Sequence, residues 1–393
     1  MNQAQTLSHT MSFNKNDKCG FWSATRKRIF QSTFMVKLLN WEYWDFNVVY
    51  ASVAVLHLWQ SIKARSFFYF SASNPGLENA GFIGERKSSI MELIPSDVQP
   101  KWFLVDGFDF EKVLNKIRQN EITFPLIAKP NIGERGQGVA KINNESELRA
   151  YFEGINVPFL IQGFVEGPLE LGVFYFRIPG EARGKVSSIV AKEFLELKGD
   201  GYSTLAELVE ANPRARFVSE FLSKKHVSIW NTVLKRSERV RLEDIGNHCR
   251  GTTFINDNER ITPELEKVID KLSKQIPGFY FGRYDLRATS YEALERGEFQ
   301  ILELNGAGAE PAHIYQPGFS FWEGQKVLLH HWKVLYKISM ANKAKGEKFW
   351  NLKEATVVKK EHKKMLSMIG VHLAQAPPSL PKGEEQYIKE TTN

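Results

Sequence analysis

The 393-residue chain contains only two cysteines, Cys19 and Cys249, far apart and without metal-ligand spacing. That argues against a disulfide framework or a cysteine-built zinc site, and it fits a reducing compartment. No apolar run is long enough for a confident membrane span, and the first residues are polar with no apolar signal core. A cytoplasmic location is therefore expected. Neither the GxxxxGK[ST] phosphate loop nor the GxGxxG dinucleotide fingerprint occurs. There is no internal repeat and no RNA- or DNA-binding motif. The formal net charge is +7, with basic residues gathered at Arg26, Lys27, Arg28 and Lys37 and again from Lys343 to Lys364. Such runs are usually solvated faces, so a nucleic-acid partner is not expected; a nucleotide or an anionic membrane surface suits the balance better.

What remains is ordinary for a globular protein: 42% hydrophobic and 25% charged residues. The length allows two or three lobes around sizeable cores. After a polar, basic start comes an aromatic stretch from Trp41 to Trp59, followed by Lys63 and Arg65. Three readings compete there: a buried core helix or helix pair, a helix lying in a membrane interface across residues 41–65, and a true span. Ser66 to Ser71 reads as a buried strand. The loop from Ala72 to Lys87 follows, and a helix begins near Ser88. Residues 101–105 read as a strand starting at Lys101, and Phe110 to Arg118 as an amphipathic helix. Phe124 to Pro130 is a strand carrying Lys129, and it opens into a glycine-rich loop with Gly133, Gly136 and Gly138. Bare backbone N–H groups in such a loop accept phosphate oxygens, and Lys129 adds a point charge. Further strands are read at 159–165, 171–177 and 186–193, the last carrying Lys192. Pro263 sits at the first position of a helix, and an amphipathic helix runs from Trp322 to about Ile338. The chain past Gly370 reads as a disordered tail.

Two strands dominate the remainder, Phe279 to Arg287 and Phe299 to Gly306, joined by the polar segment 290–298. Side chains alternate between faces, so Arg283 and Asp285 share one face and Glu303 and Asn305 share one face. Centring the loop near Leu294 sets 283 opposite 305 and 285 opposite 303. Three oxygen donors suit a hard cation such as Mg2+, and the arginine suits a phosphate. A half-buried hairpin with its polar face in water is the competing reading, and both stay open on the hairpin alone.

In this order, Lys101, Lys129 with its glycine loop, Gln162 to Glu170, Gly199-Asp200-Gly201, Arg283-Tyr284-Asp285 and Glu303-Leu304-Asn305 resemble the ATP-grasp superfamily. The resemblance spans about Lys101 to His313 and is closest to the carboxylate–amine ligases of the D-alanine–D-alanine ligase and cyanophycin synthetase type. It implies an α+β fold in which two lobes with antiparallel sheets grip ATP, here with an abbreviated, aromatic-rich N-terminal region. The implied divisions are residues 1–100, a lid lobe at 101–170, a metal-binding lobe at 171–320, and a C-terminal helix with a basic tail at 321–393. It also implies roles. Lys101 and Lys129 would meet the α- and β-phosphates, and Gly133 to Gly138 would close over the β- and γ-phosphates. Gln162, Phe164 and Val165 would hold adenine, and Glu170 the ribose. Lys192 would face phosphate and Arg283 the transferred phosphoryl group, with Lys129 and Arg283 as the catalytic pair. Asp285, Glu303 and Asn305 would hold Mg2+, or Mn2+ in its place. Gln162 departs from the acid common there, and Glu170 stands one residue later than the pattern.

The implied activity is ATP-dependent joining of a carboxylate to an amine through an acyl phosphate, with ADP and phosphate released. Neither substrate nor oligomeric state can be read from the residues. Arg250, His313 and the loop from Ala72 to Lys87 are candidates to line the acceptor pocket. A nucleotide-binding regulatory protein with little turnover is the alternative from another class. An ATP-grasp enzyme working at a membrane surface is the third reading.

Overall fold

The computed structural model describes Met35 and residues 38–107, 109–134 and 136–370. Cys19, the basic cluster of Arg26, Lys27, Arg28 and Lys37, Arg135 of the glycine loop and the tail past Gly370 lie outside the described residues. The chain forms two units, Met1–Trp44 and Asp45–Asn393. The first contributes a short 3-10 turn at Trp41–Tyr43; everything below concerns the second.

Two helices open this unit, α1 (Phe46–Val49) and α2 (Ala51–Ala64). The expectation of a buried helix is corrected here. α2 buries Val53, Gln60, Ser61 and Ala64, while Val55, Leu58, Trp59 and Ile62 are 72%, 58%, 53% and 70% exposed. Among the described residues no helix is long and apolar enough to cross a membrane. The strand expected at Ser66 to Ser71 is also corrected, to a turn and a 3-10 helix at Tyr69–Ala72. Its aromatic run packs on more than one side, Tyr69 against Tyr336 and Phe70 against Phe82 and Trp350. A strand would offer each neighbour only alternate side chains. Helix α3 (Lys87–Leu93) follows.

The first sheet comprises β1 (Trp102–Val105), β2 (Leu126–Pro130), β3 (Ala140–Ile142) and β4 (Phe159–Gly163), in spatial order β1-β4-β2-β3 and antiparallel throughout. Helices α4 (Phe110–Gln119) and α5 (Glu145–Gly154) cover one face. Asp109 and Asn144 cap them by accepting N–H groups in the first turn. Leu126, Ala128 and Ile161 point into that covered core. Period-2 alternation therefore turns Lys129 and Gln162 to the opposite face.

The larger sheet runs β11-β10-β5-β6-β9. Its strands are β5 (Leu169–Phe176), β6 (Lys185–Glu193), β9 (Thr253–Asn256), β10 (Phe281–Ala288) and β11 (Phe299–Asn305). Between β6 and β9 lie the small hairpin β7 (Glu196–Lys198) with β8 (Arg239–Arg241) and the helices α6 (Leu205–Ala211), α7 (Pro213–Arg216) and α8 (Ser219–Lys225). Thr204 and Glu207 close a reciprocal capping box on α6. One face of the large sheet, with Leu171, Val173, Tyr175, Tyr284 and Leu286, packs on α3 and on α9 (Pro263–Gln275). Thr262 caps α9, with Pro263 at its first position as expected.

The other face is divided along its length. Phe174 and Phe281 are covered by α11 (Phe321–Ala344) through Val334, Leu335 and Ile338. Further along β5 and β10, alternation brings Gly172, Arg283, Asp285 and Arg287 to the same face. The segment between β10 and β11 holds a short helix, α10 (Tyr291–Glu295), capped by Ser290. A final helix, α12 (Leu352–Gly370), ends the described chain.

Candidate functional site

The hairpin has the register expected of it: Arg283 lies opposite Asn305, and Asp285 opposite Glu303. A bulge follows immediately between Asp285 and Leu286. β10 pairs on its other side with β5, which sets Gly172 opposite Asp285. A Cβ on Gly172 would come within 3.2 Å of Arg283 Cδ and 3.3 Å of Asp285 Oδ1. The missing side chain leaves room for both charged groups. Sequence reading passed over Gly172, because nothing in a lone strand glycine says what lies across from it.

Asp285 is the centre of a buried charge cluster. Arg283 donates to it at 3.2 Å, Lys192 Nζ lies 3.3 Å from Oδ1, and Asn305 Nδ2 donates to Oδ2 at 3.2 Å. Burial alone would raise the Asp285 pKa, but Arg283 and Lys192 outweigh it and hold the carboxyl below the usual range. Lys192 shows the reverse balance: burial would lower it, and Asp285 with Glu170 keeps it raised. Glu303 faces Lys87 at 3.6 Å. Asp285 and Glu303 sit opposite each other in the hairpin and Asn305 donates to Asp285, so two carboxylates and an amide offer the hard oxygen donors that suit Mg2+. An amide's O and N are assigned from their partners, so either orientation of Asn305 is compatible. Among the described residues no group of three or more His, Cys, Asp or Glu side chains converges as a metal centre.

Lys129 reaches this cluster from the other sheet. It is 6% exposed, and its Nζ donates to the Leu302 carbonyl at 3.0 Å, beside Glu303. Burial lowers its pKa to about 8, with Glu303 opposing and Lys87 adding to the shift. On the same face of the first sheet, Gln162 is 3% exposed, and its Oε1 has no hydrogen-bond partner among the described residues. A buried orphan acceptor is costly unless a donor arrives. An exocyclic amino group such as that of adenine is a donor of the required kind.

Lys101, expected at the phosphates, is not brought into the cluster. Its ammonium pairs with Glu121 at the surface. With Glu121, Gly163, Phe164, Val165 and Gln300 it lines a notch of about 320 Å³ beside the chain's crossing between the sheets. The lysine that does arrive is Lys87, at the first position of α3. Its Nζ donates to the Gly133 carbonyl at 2.7 Å and faces Glu303. The helix start after the glycine-containing loop was its only sequence signal.

Glu170, expected at the ribose, is held among cations. Both its oxygens are engaged: Arg287 donates to Oε2 at 2.8 and 2.7 Å, and Lys192 to Oε1 at 3.2 Å. Arg287 also donates to the Val165 carbonyl at 2.5 Å, and its guanidinium lies 5.1 Å from the Phe164 ring. Glu170 and Arg287 thus fix the crossing segment that carries Phe164 and Val165.

Gly136 and Gly138 adopt left-handed φ values of +73° and +68°, which glycine reaches without steric penalty. The loop is clasped by Arg250, whose Nη2 donates to the carbonyls of Gly136 and Val139 at 2.6 and 3.1 Å. His313, also singled out for the acceptor pocket, is buried with Nδ1 2.6 Å from Ser188 Oγ and a pKa that burial lowers to about 4. The loop from Ala72 to Lys87 is zipped to the chain after β11, with Ala307 N–H donating to Ala80 and Gly308 N–H to Gly81. Beyond that zipper stands Glu310, which the sequence reading did not single out. Its backbone carbonyl accepts from Arg283 at 3.2 Å.

No family model matches the sequence, and no curated protein matches it. Solved structures do. A D-Ala:D-Ser ligase (VanG) of Enterococcus faecalis is 19% identical with a TM-score of 0.37, over 64% of this chain and 61% of that one. A D-alanine–D-alanine ligase of Bacillus anthracis complexed with ATP is 16% identical with a TM-score of 0.38, over 66% and 68%. A bifunctional glutathione synthetase of Pasteurella multocida is 14% identical with a TM-score of 0.33, over 62% and 35%. The chain thus spans 61% of the length of the first of these structural relatives.

Proposed function

We propose that this chain is an ATP-grasp carboxylate–amine ligase, binding ATP with Mg2+ between its two large sheets. One observation carries the reading. Lys129 from the first sheet, Lys87 from α3 and Lys192 and Arg283 from the second sheet converge over Asp285 and Glu303. Cations and hard oxygen donors interleaved in this way suit a metal-bridged polyphosphate. In this reading residues 101–170 form the lid and 171–320 the metal-binding lobe. The orphan Gln162 Oε1 accepts from the adenine amino group, and Phe164 flanks the base.

Asp285, Glu303 and Asn305 would hold Mg2+, which when bound neutralises charge on the β- and γ-phosphates. The protein's own groups do the aligning. Lys129 from the lid and Lys87 from α3 take phosphate oxygens, and Arg283 stands where charge develops on the transferred group. A substrate carboxylate oxygen attacks the γ-phosphorus, and the bond to the β-phosphate oxygen breaks with release of ADP. The amine nitrogen then attacks the acyl carbon, the acyl C–O bond breaks, phosphate leaves, and the amine proton passes to solvent. ADP and phosphate release that requires both a carboxylate and an amine is the test. ATP binding without turnover against a broad panel of acids and amines would favour a regulatory protein instead.

A second reading places this enzyme at an anionic membrane surface, and α2 favours it. Val55, Leu58, Trp59 and Ile62 follow i, i+3, i+4, i+7 spacing, are all exposed, and are followed by Lys63 and Arg65. Co-sedimentation with phosphatidylglycerol vesicles at low salt, lost in Trp59→Glu, is the expected outcome. An unaltered chain that stays in the supernatant removes this reading.

A further inference from the structure

Glu310 is a half-buried carboxylate whose neighbours are unusual. Its oxygens accept from two phenols, Tyr50 Oη on Oε1 and Tyr315 Oη on Oε2, the latter at 3.1 Å. Among the described residues it forms no ion pair; the cation beside it, Arg283, binds its backbone carbonyl and spends its guanidinium on Asp285. The surroundings are aromatic. Tyr50 is stacked on Phe46 at 4.2 Å, and the Tyr315 ring lies 6.2 Å from that of His248. An acid held by neutral donors among ring faces, with no cation of its own, is an incomplete ion-pair site. Burial raises its pKa to about 7, with Tyr315 opposing, which is what a carboxylate without a counter-charge does. Ring faces also attract cations.

We propose that Glu310, framed by Tyr50 and Tyr315, is the binding site for a primary ammonium group, the resting form of the amine that attacks the activated carboxylate. The proposal rests on the ligase reading, because it is Arg283 that ties this carboxylate to the phosphoryl side of the site. It narrows the acceptor to a molecule that arrives as a cation and is held by charge, hydrogen bonding and ring faces together.

The probe is n-butylammonium, with n-butanol as its neutral isostere and potassium ion as a competing monovalent cation. Binding to the full chain near neutral pH is measured by calorimetry in two buffers of different ionisation heat. The unaltered chain is expected to bind n-butylammonium with proton release, to ignore n-butanol, and to resist displacement by equal potassium. Glu310→Gln should bind it at least about tenfold more weakly without proton release, consistent with loss of a charged hydrogen bond. Glu310→Asp should recover part of the affinity. Equal binding by Glu310→Gln, equal binding of n-butanol, equal displacement by potassium, or no binding by the unaltered chain overturns the proposal. Binding of Mg2+ with a non-hydrolysable ATP analogue is measured in parallel and should be the same in the Gln variant and the parent. Its absence from the parent would sink the ligase reading, whereas the ammonium result stands or falls separately.

Discussion

At the scale of single residues the site is a set of balances between burial and charge. Asp285 stays ionised because Arg283 and Lys192 outweigh its desolvation, so removing its charge should take from Arg283 its ion-pair partner and leave Lys192 to Glu170 alone. Asp285→Asn and Glu303→Gln are each expected to lower ATP turnover by about a hundredfold or more, with far-UV circular dichroism unchanged. Near-parental turnover in both would refute their metal role. A second balance concerns acid stability. Burial is the leading cause that lowers His313 and His331 from 6.5 to about 4. Between those values the unfolded chain binds more protons than the folded one, so stability is full above pH 6.5 and falls as pH drops toward 4. Urea midpoints measured across that window should decline, and His331→Gln should flatten the decline. The pairing of Asp285 with Glu303 was legible because strand periodicity fixes faces. The choice of Lys87 over Lys101 was not, because Lys87 begins α3 and Lys101 directly precedes β1, and only packing decides which one turns inward.

At the scale of elements, loops and short crossings hold the site in place. Arg250 spans from the 3-10 turn at His248–Arg250 to the glycine loop and also faces the buried Glu243 at 3.7 Å. Arg250→Leu is expected to speed amide hydrogen exchange across residues 133–139 and to lower stability by about 1–3 kcal/mol, the typical cost of leaving a buried polar group unpaired. Unchanged exchange in that loop would mean the clasp is unimportant. The zipper between the N-terminal loop and the chain after β11 depends on glycine for a separate reason. A Cβ on Gly306 would sit 2.6 Å from the Ala80 carbonyl, and Gly81 has φ +64°. Gly306→Ala should therefore reduce the thermal midpoint, whereas Gly107→Ala, which meets nothing within 4 Å, should not. Neither close approach is visible in sequence, because the partners lie more than a hundred residues apart.

At the scale of the whole molecule, the site exists only where two sheets meet. The first sheet turns Lys129 and Gln162 away from its own helical core, and the second leaves one stretch of a face uncovered by α11. Binding of ATP with Mg2+ should therefore stabilise both at once, by about 2.7 kcal/mol at a hundredfold excess over Kd. A single cooperative rise in thermal midpoint, absent in Asp285→Asn, is the expected record. Two transitions of which only one shifts would show that the nucleotide does not bridge the sheets.

The sequence alone determined what is local. Alternation set the hairpin faces, glycines and Lys129 marked a phosphate-suited loop, and Pro263 placed a helix start, all encoded within a few neighbouring residues. Tertiary structure decided the rest. It brought Lys87 to Glu303, spent Glu170 on Arg287 and Lys192, drew Arg250 onto the glycine loop, turned the apolar stripe of α2 outward and left Glu310 among phenols with no ion pair among the described residues. Each of these depends on which element packs beside which, and side-chain burial across hundreds of residues is not carried by periodicity.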